Sequence, residues 1–159
     1  MATYHQQMQK IFELYTDEVT AEPADLRTVA AWALRKGLWS PQPSDVHARF
    51  AADMADALRE EFRTDSSGRR YRTKHAVRQW RDGRQQSFWA DIDIAPRAHM
   101  EKAFSQRRRQ IVADCHHLRL DVDHFNAAHS TEAPIQLILD FTEDVEEILI
   151  LEGIEDAAA

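Results

Sequence analysis

The apolar period changes twice along the chain, and no other feature constrains the fold as strongly. From Arg69 onward the residues alternate. Tyr71, Thr73, His75 and Val77 share one face, and Arg70, Arg72, Lys74 and Arg78 share the other. A period of two is the strand period, because successive side chains point to opposite sides. Arg81-Asp82-Gly83-Arg84 interrupts the alternation, and Asp-Gly tolerates the positive φ that a two-residue hairpin turn requires. Phe88, Ala90, Ile92 and Ile94 then place a second strand. On both sides of this hairpin the apolar residues recur every three or four positions, which is the helix period. The chain is therefore predicted to be mainly α with one β-hairpin.

The helices can be placed from their faces and their punctuation. Tyr4, Met8, Ile11, Phe12, Tyr15 and Val19 form one apolar face, ended by Glu22-Pro23. Asp25 caps a second helix that buries Leu26, Val29, Ala30, Ala33 and Leu34 and stops at Gly37. Trp32 and Trp39 flank that stop and are assigned to core packing. Ser44 caps a third helix running to about Phe62, with Val46, Phe50, Met54, Ala57 and Leu58 inward. Asp65-Ser66-Ser67-Gly68 is a turn. Pro96 opens a long helix to about residue 127. Its seam is Met100, Phe104, Ile111, Cys115, Leu118, Val122 and Phe125. A last helix fits 134–151. Within it, residues 136–141 also suit a strand, and length favours the helix. Two regions result, 1–95 and a helical dimerisation region 96–159.

Charge is segregated along this framework. Residues 63–84 hold eight Lys/Arg against two Asp/Glu, and residues 97–119 hold six against two. Residues 120–159 hold eleven acids and no Lys or Arg. The formal net charge of −7 conceals a basic middle and an acidic end.

Several function classes are excluded. The four glycines, at 37, 68, 83 and 153, are too far apart for G-x-G-x-x-G or a P-loop. Those loops need glycine so that backbone amides approach phosphate oxygens closely. Neither G-x-S-x-G nor H-E-x-x-H is present. A single cysteine, Cys115, rules out C-x-x-C chemistry and an internal disulfide, and points to the reducing cytoplasm. No apolar run reaches the 18 residues of a membrane span, and no secretory leader is visible. His117, Asp121 and His124 share a helical stripe, but without a fourth ligand they are assigned to the rim of the seam rather than to a metal. No cofactor, catalytic residue or enzymatic activity is expected.

Three helices followed by a basic two-stranded hairpin resemble a winged-helix module over residues 4–95. The resemblance implies that the second and third helices are a helix-turn-helix pair and that the strands around Asp82-Gly83 are the wing. Trp32-Ala33-Leu34 with Gly37-Leu38-Trp39, Arg72-Thr73-Lys74-His75-Ala76 and Gln106-Arg107-Arg108-Arg109-Gln110-Ile111 resemble a family of bacterial proteins of unassigned function. That likeness implies a bacterial, cytoplasmic setting and no activity.

The functional expectation is binding of double-stranded DNA by a small regulator or accessory factor. Arg69, Arg70, Arg72, Lys74, Arg78, Arg81 and Arg84 neutralise phosphates, with Arg107, Arg108 and Arg109 as a second patch. Ser44, His47 and Arg49, with Ala48, open the third helix and face the bases. A homodimer through the long seam sets two hairpins on one face. The alternative is a protein-docking or assembly module. It is favoured by the acids Asp45, Asp53, Asp56, Glu60 and Glu61 on the third helix.

Overall fold

The structure, a computed structural model, describes residues 3–42 and 44–153. The chain divides into two compact units, 1–52 and 53–159. Among the described residues there are five helices and two antiparallel hairpins, a mixed α/β architecture. No helix among them is long and apolar enough to cross a membrane.

The first unit is organised by helices α1 (Tyr4–Glu18) and α2 (Leu26–Arg35). Thr3 and Gln6 close a capping box on α1, and the Asp25 carboxylate accepts the Thr28 amide on α2. Ile11 and Tyr15 meet Val29, Trp32 and Ala33 in a small core, with Met8, Leu14, Ala24 and Trp39 packed around it. The Tyr15 ring meets Trp32 edge-on at 5.4 Å, a geometry the ring quadrupoles favour. Gly37, at φ 68°, ends α2 where a side chain would be strained.

Helix α3 (Asp45–Arg59) crosses the boundary between the units and buries none of its residues. Its expected inward face does not form: Val46 is 68% and Phe50 65% exposed, and Met54 is also open. Amphipathic spacing marks a face able to pack, and on α3 that face is left uncovered. The helix also stops at Arg59 rather than Phe62, because Phe62 enters a strand.

The second unit is built on an extended run from Arg70 to Arg81, broken at Thr73. Strand β2 (Arg70–Arg72) pairs with β1 (Phe62–Thr64) across the Asp65–Gly68 turn. Strand β3 (Lys74–Arg81) pairs with β4 (Arg84–Asp91), Arg81 opposite Arg84. Asp82 at φ 54° and Gly83 at φ 74° make the tight turn expected there. Two hairpins thus stand where one was expected. Thr73, fully buried, joins them: its amide donates to the Glu61 carbonyl at 3.0 Å, and its carbonyl accepts the Ile92 amide at 2.8 Å. Strand β4 ends at Asp91, so Ile94 is exposed rather than in register with Phe88.

Helix α4 (Arg97–Ala128) lies along β3. His75 and Val77 from the strand and Met100 and Ala103 from the helix are buried. The His75 ring meets Phe104 edge-on at 5.3 Å, and the His99 ring bonds the His75 carbonyl at 3.1 Å. Gln106 completes the attachment. Its amide accepts from the Arg78 backbone N–H at 2.8 Å and donates to the Arg78 carbonyl at 3.0 Å. It satisfies edge groups that a further strand would otherwise take.

Beyond this contact α4 carries its seam in the open. Ile111, Leu118 and Phe125 are exposed, and Cys115 and Val122 are half-buried. The last helix, α5, spans only Thr142–Leu151 and buries nothing. Residues 134–141 form neither the helix favoured from length nor a paired strand. Asn126 takes both the amide and the carbonyl of Ile135, at 2.8 and 3.0 Å, which commits those groups to a side chain instead of a helical ladder.

Candidate functional site

The hairpin face that carries Lys74, Ala76, Arg78 and Trp80 also carries their cross-strand partners Asp91, Trp89, Ser87 and Gln85. Helix α4 flanks this face along the β3 edge. The space they enclose is a cleft of about 470 Å³. Ala76 and Ser87 floor it, because short side chains there leave room. Arg59, Arg72, Arg78, Arg107 and Arg109 line it, with Gln106, Gln110 and Trp89 between them.

The cations of the hairpin fall into two groups. One group is neutralised. Arg63 donates to Asp91 and Asp93 at 2.7 Å each, and Lys74 donates to Asp91 at 2.9 Å with Glu61 at 3.6 Å. Hydrogen bonds from Arg63 and Lys74 hold the Asp91 carboxyl well below the usual carboxylate range, and Asp91 in turn raises the Lys74 ammonium. The Tyr71 hydroxyl closes the network on Asp93 at 3.0 Å. This cluster ties the two hairpins together and has no cation to spare. Lys74 is therefore a structural ion pair, despite its place on the basic face. Arg69 is likewise spoken for by Asp65, at 2.9 Å.

The second group faces the cleft, with Asp56 on Arg59 as its one acid partner among the described residues. Arg72 is its centre. Its Nε is buried and has no hydrogen-bond partner. Burial lowers the guanidinium from its ordinary pKa, and the charges of Arg107 and Arg59 lower it further. A buried donor without an acceptor costs about 1–3 kcal/mol. The fold accepts that cost at Arg72, and it clusters like charges around it. Arg59, paired to Asp56 at 2.7 Å, also stacks over the Trp89 ring at 5.4 Å. The side-chain nitrogens of Arg109 reach only Ser105 of its own helix.

His75 borders the cleft with its ring buried. Burial lowers its pKa, opposed by its bond to the Arg72 carbonyl at 2.9 Å and reinforced by the charges of Arg107, Arg72 and His99. Its Nε2 donates to that carbonyl and its ring meets Phe104 edge-on.

The remaining expected residues scatter. Arg70 stacks on Phe62 at 4.2 Å and Arg81 on Phe88 at 4.6 Å. Arg84 sits beside the turn, exposed and outside the cleft. Ser44, His47 and Arg49 lie exposed at the start of α3, in the first unit. The structure thus brings Arg72 and Arg78 together with Arg107 and Arg109, once counted as a separate patch. Arg59, Gln106 and Gln110 were missed as site residues. Arg59 carried no signal, since it ends an acidic helix. Gln106 stood one residue before the Arg107-Arg108-Arg109 run. His117, Asp121 and His124 are exposed on α4, and among the described residues no group of three or more His, Cys, Asp or Glu is placed to hold a metal. Comparison of the chain with protein-family models, curated proteins and solved structures yields no match.

Proposed function

We propose that the protein binds DNA, through contacts between its basic cleft and the phosphate backbone. One observation carries this reading: Arg72 keeps a buried, unpartnered N–H between the like charges of Arg107 and Arg59. Such an arrangement is stabilised when an anion enters, because the anion supplies the acceptor and screens the repulsion. The work is binding rather than catalysis. The cleft offers guanidiniums and amides, and the ring of His75 is occupied by the Arg72 carbonyl and Phe104.

Further parts of the reading rest on sequence and on exposed surface. The order of three helices and a basic hairpin supports a winged-helix-like arrangement of residues 4–95 with β3–β4 as the wing. The single cysteine supports a cytoplasmic setting. A homodimer is supported by the open seam of α4. That helix is 32 residues long, about 48 Å, and the next longest helices have 15. Among the described residues no other helix matches that length, and a second copy supplies one that does. The uncovered stripe of Val46, Phe50 and Met54 on α3 favours a second reading, docking of a protein partner.

Fluorescence anisotropy of labelled DNA with the wild-type protein and with Arg72→Gln/Arg78→Gln/Arg107→Gln tests the proposal. Binding by the wild type, lost in the variant while its circular dichroism is unchanged, supports it. Equal binding by both moves the site elsewhere and overturns it.

A further inference from the structure

The cleft is concave, and Trp80, outside its lining, follows the lining residue Arg78 on the same face of β3. Residues Ala76, Arg78 and Trp80 follow one another along a single face of β3, about 7 Å apart. Trp80 is 75% exposed, although an indole is among the side chains most worth burying. Its cross-strand partner is the polar Gln85, itself exposed, and the ring stays uncovered. Four residues along the same face, Trp89 ends the row, with the Arg59 guanidinium on its ring. An exposed ring, the Arg78 guanidinium and a second ring with a guanidinium over it therefore share one face of the hairpin. Neutral amides of Gln85, Gln106 and Gln110 stand beside them.

Resting on the reading that this cleft binds nucleic acid, we propose that the strand it takes is single, with a base stacked on Trp80 and its backbone in the hollow between Arg78, Arg72 and Arg107. Single strands are held by this combination: a basic groove for the backbone and aromatic rings for unpaired bases. In a duplex the base faces are stacked on each other and shut away from a side chain at the backbone. Trp80 would then meet only sugar, and its exposure would go unused. A duplex is also read by elements that project into a groove. Here the arginines line a hollow whose β3 side is already closed by α4 through Gln106. Gln106 is held by the Arg78 backbone and the Gln110 amide donates to Asp114, which leaves Gln85 to meet a base edge, so stacking without strong sequence preference is expected.

Anisotropy titrations with an oligo-dT strand and with a duplex of equal length test this, using the full chain and Trp80→Ala and Trp80→Phe variants. Trp80 is at the surface, so both variants keep the fold. The expected result is tighter binding of the single strand, weakened about tenfold by Trp80→Ala and largely restored by Trp80→Phe, with duplex binding unmoved by either. Duplex binding as tight as single-strand binding, or single-strand binding indifferent to Trp80, overturns this inference and leaves the nucleic-acid reading standing. Failure of both probes to bind overturns that reading itself, and this one with it.

Discussion

Arg72→Met separates a residue kept for a ligand from one kept for the fold. The change removes the guanidinium and retains a linear apolar stem of similar reach. In the unliganded protein three things follow. The buried Nε, which has no acceptor, disappears, and a donor left in that state costs about 1–3 kcal/mol. The repulsion from Arg107 and Arg59 that depresses the Arg72 charge also disappears. Against these stands the packing lost at the end of the side chain, which is worth at most a methylene group, about 0.8 kcal/mol. The balance is a variant about 1 kcal/mol more stable than the wild type. For a chain of this length that raises Tm by roughly 2–4 °C. Differential scanning fluorimetry measures it, first in buffer and then with saturating DNA. Ligand should raise the wild-type Tm by mass action and raise the variant's far less. A variant that melts several degrees below the wild type without ligand would refute the reasoning, because Arg72 would then be holding the hairpins together.

Three other outcomes are expected. Gln106→Ala removes two hydrogen bonds to the Arg78 backbone and should cost about 1–2 kcal/mol, read as a lower urea midpoint; an unchanged midpoint would show that α4 is not held to β3 there. His75 is held below its unfolded pKa, so the unfolded chain binds the extra proton first. Stability should therefore rise with pH from the lowered folded value up to the unfolded value of about 6.5, and His75→Gln should flatten Tm against pH across that window. Leu118→Glu, on the open seam, should convert a dimer into a folded monomer in sedimentation equilibrium; a wild type that sediments as one species of 18.4 kDa would show that the seam needs no second copy.

Local chemistry was legible in the sequence wherever a few adjacent residues decide the backbone. Asp25 capped α2, Asp82-Gly83 turned the β3–β4 hairpin, and the alternation from Thr73 to Val77 put Thr73, His75 and Val77 inside. Long-range choices were not legible. Strand β1 is three residues long and follows α3 after only two residues, too short for a period to show. The break before α5 involves Asn126, which captures the backbone of Ile135 from nine residues upstream. The apolar stripe of α3 and the seam of α4 have helical spacing whether or not anything covers them. For the site, the sequence counts charges but not their partners. It marked Lys74 and Arg72 alike, whereas Asp91 neutralises the first and no acid meets the second. Sorting them needed the fold, because Asp91 is brought opposite Lys74 only by the register of β3 with β4.

The salt dependence of DNA binding tests the central claim most directly. Each phosphate neutralised releases condensed counterions, so the slope of log K against log salt counts the contacts, at about 0.7 per phosphate on a single strand. Measured between about 50 and 200 mM salt, the wild type should show a steep slope. Replacing Arg72, Arg78 and Arg107 together by Gln should flatten it by about 2 units, with no loss of Tm. A slope that the triple substitution leaves unchanged, or a wild type that does not bind at the lower salt, would contradict the claim that these unpaired arginines are an anion site.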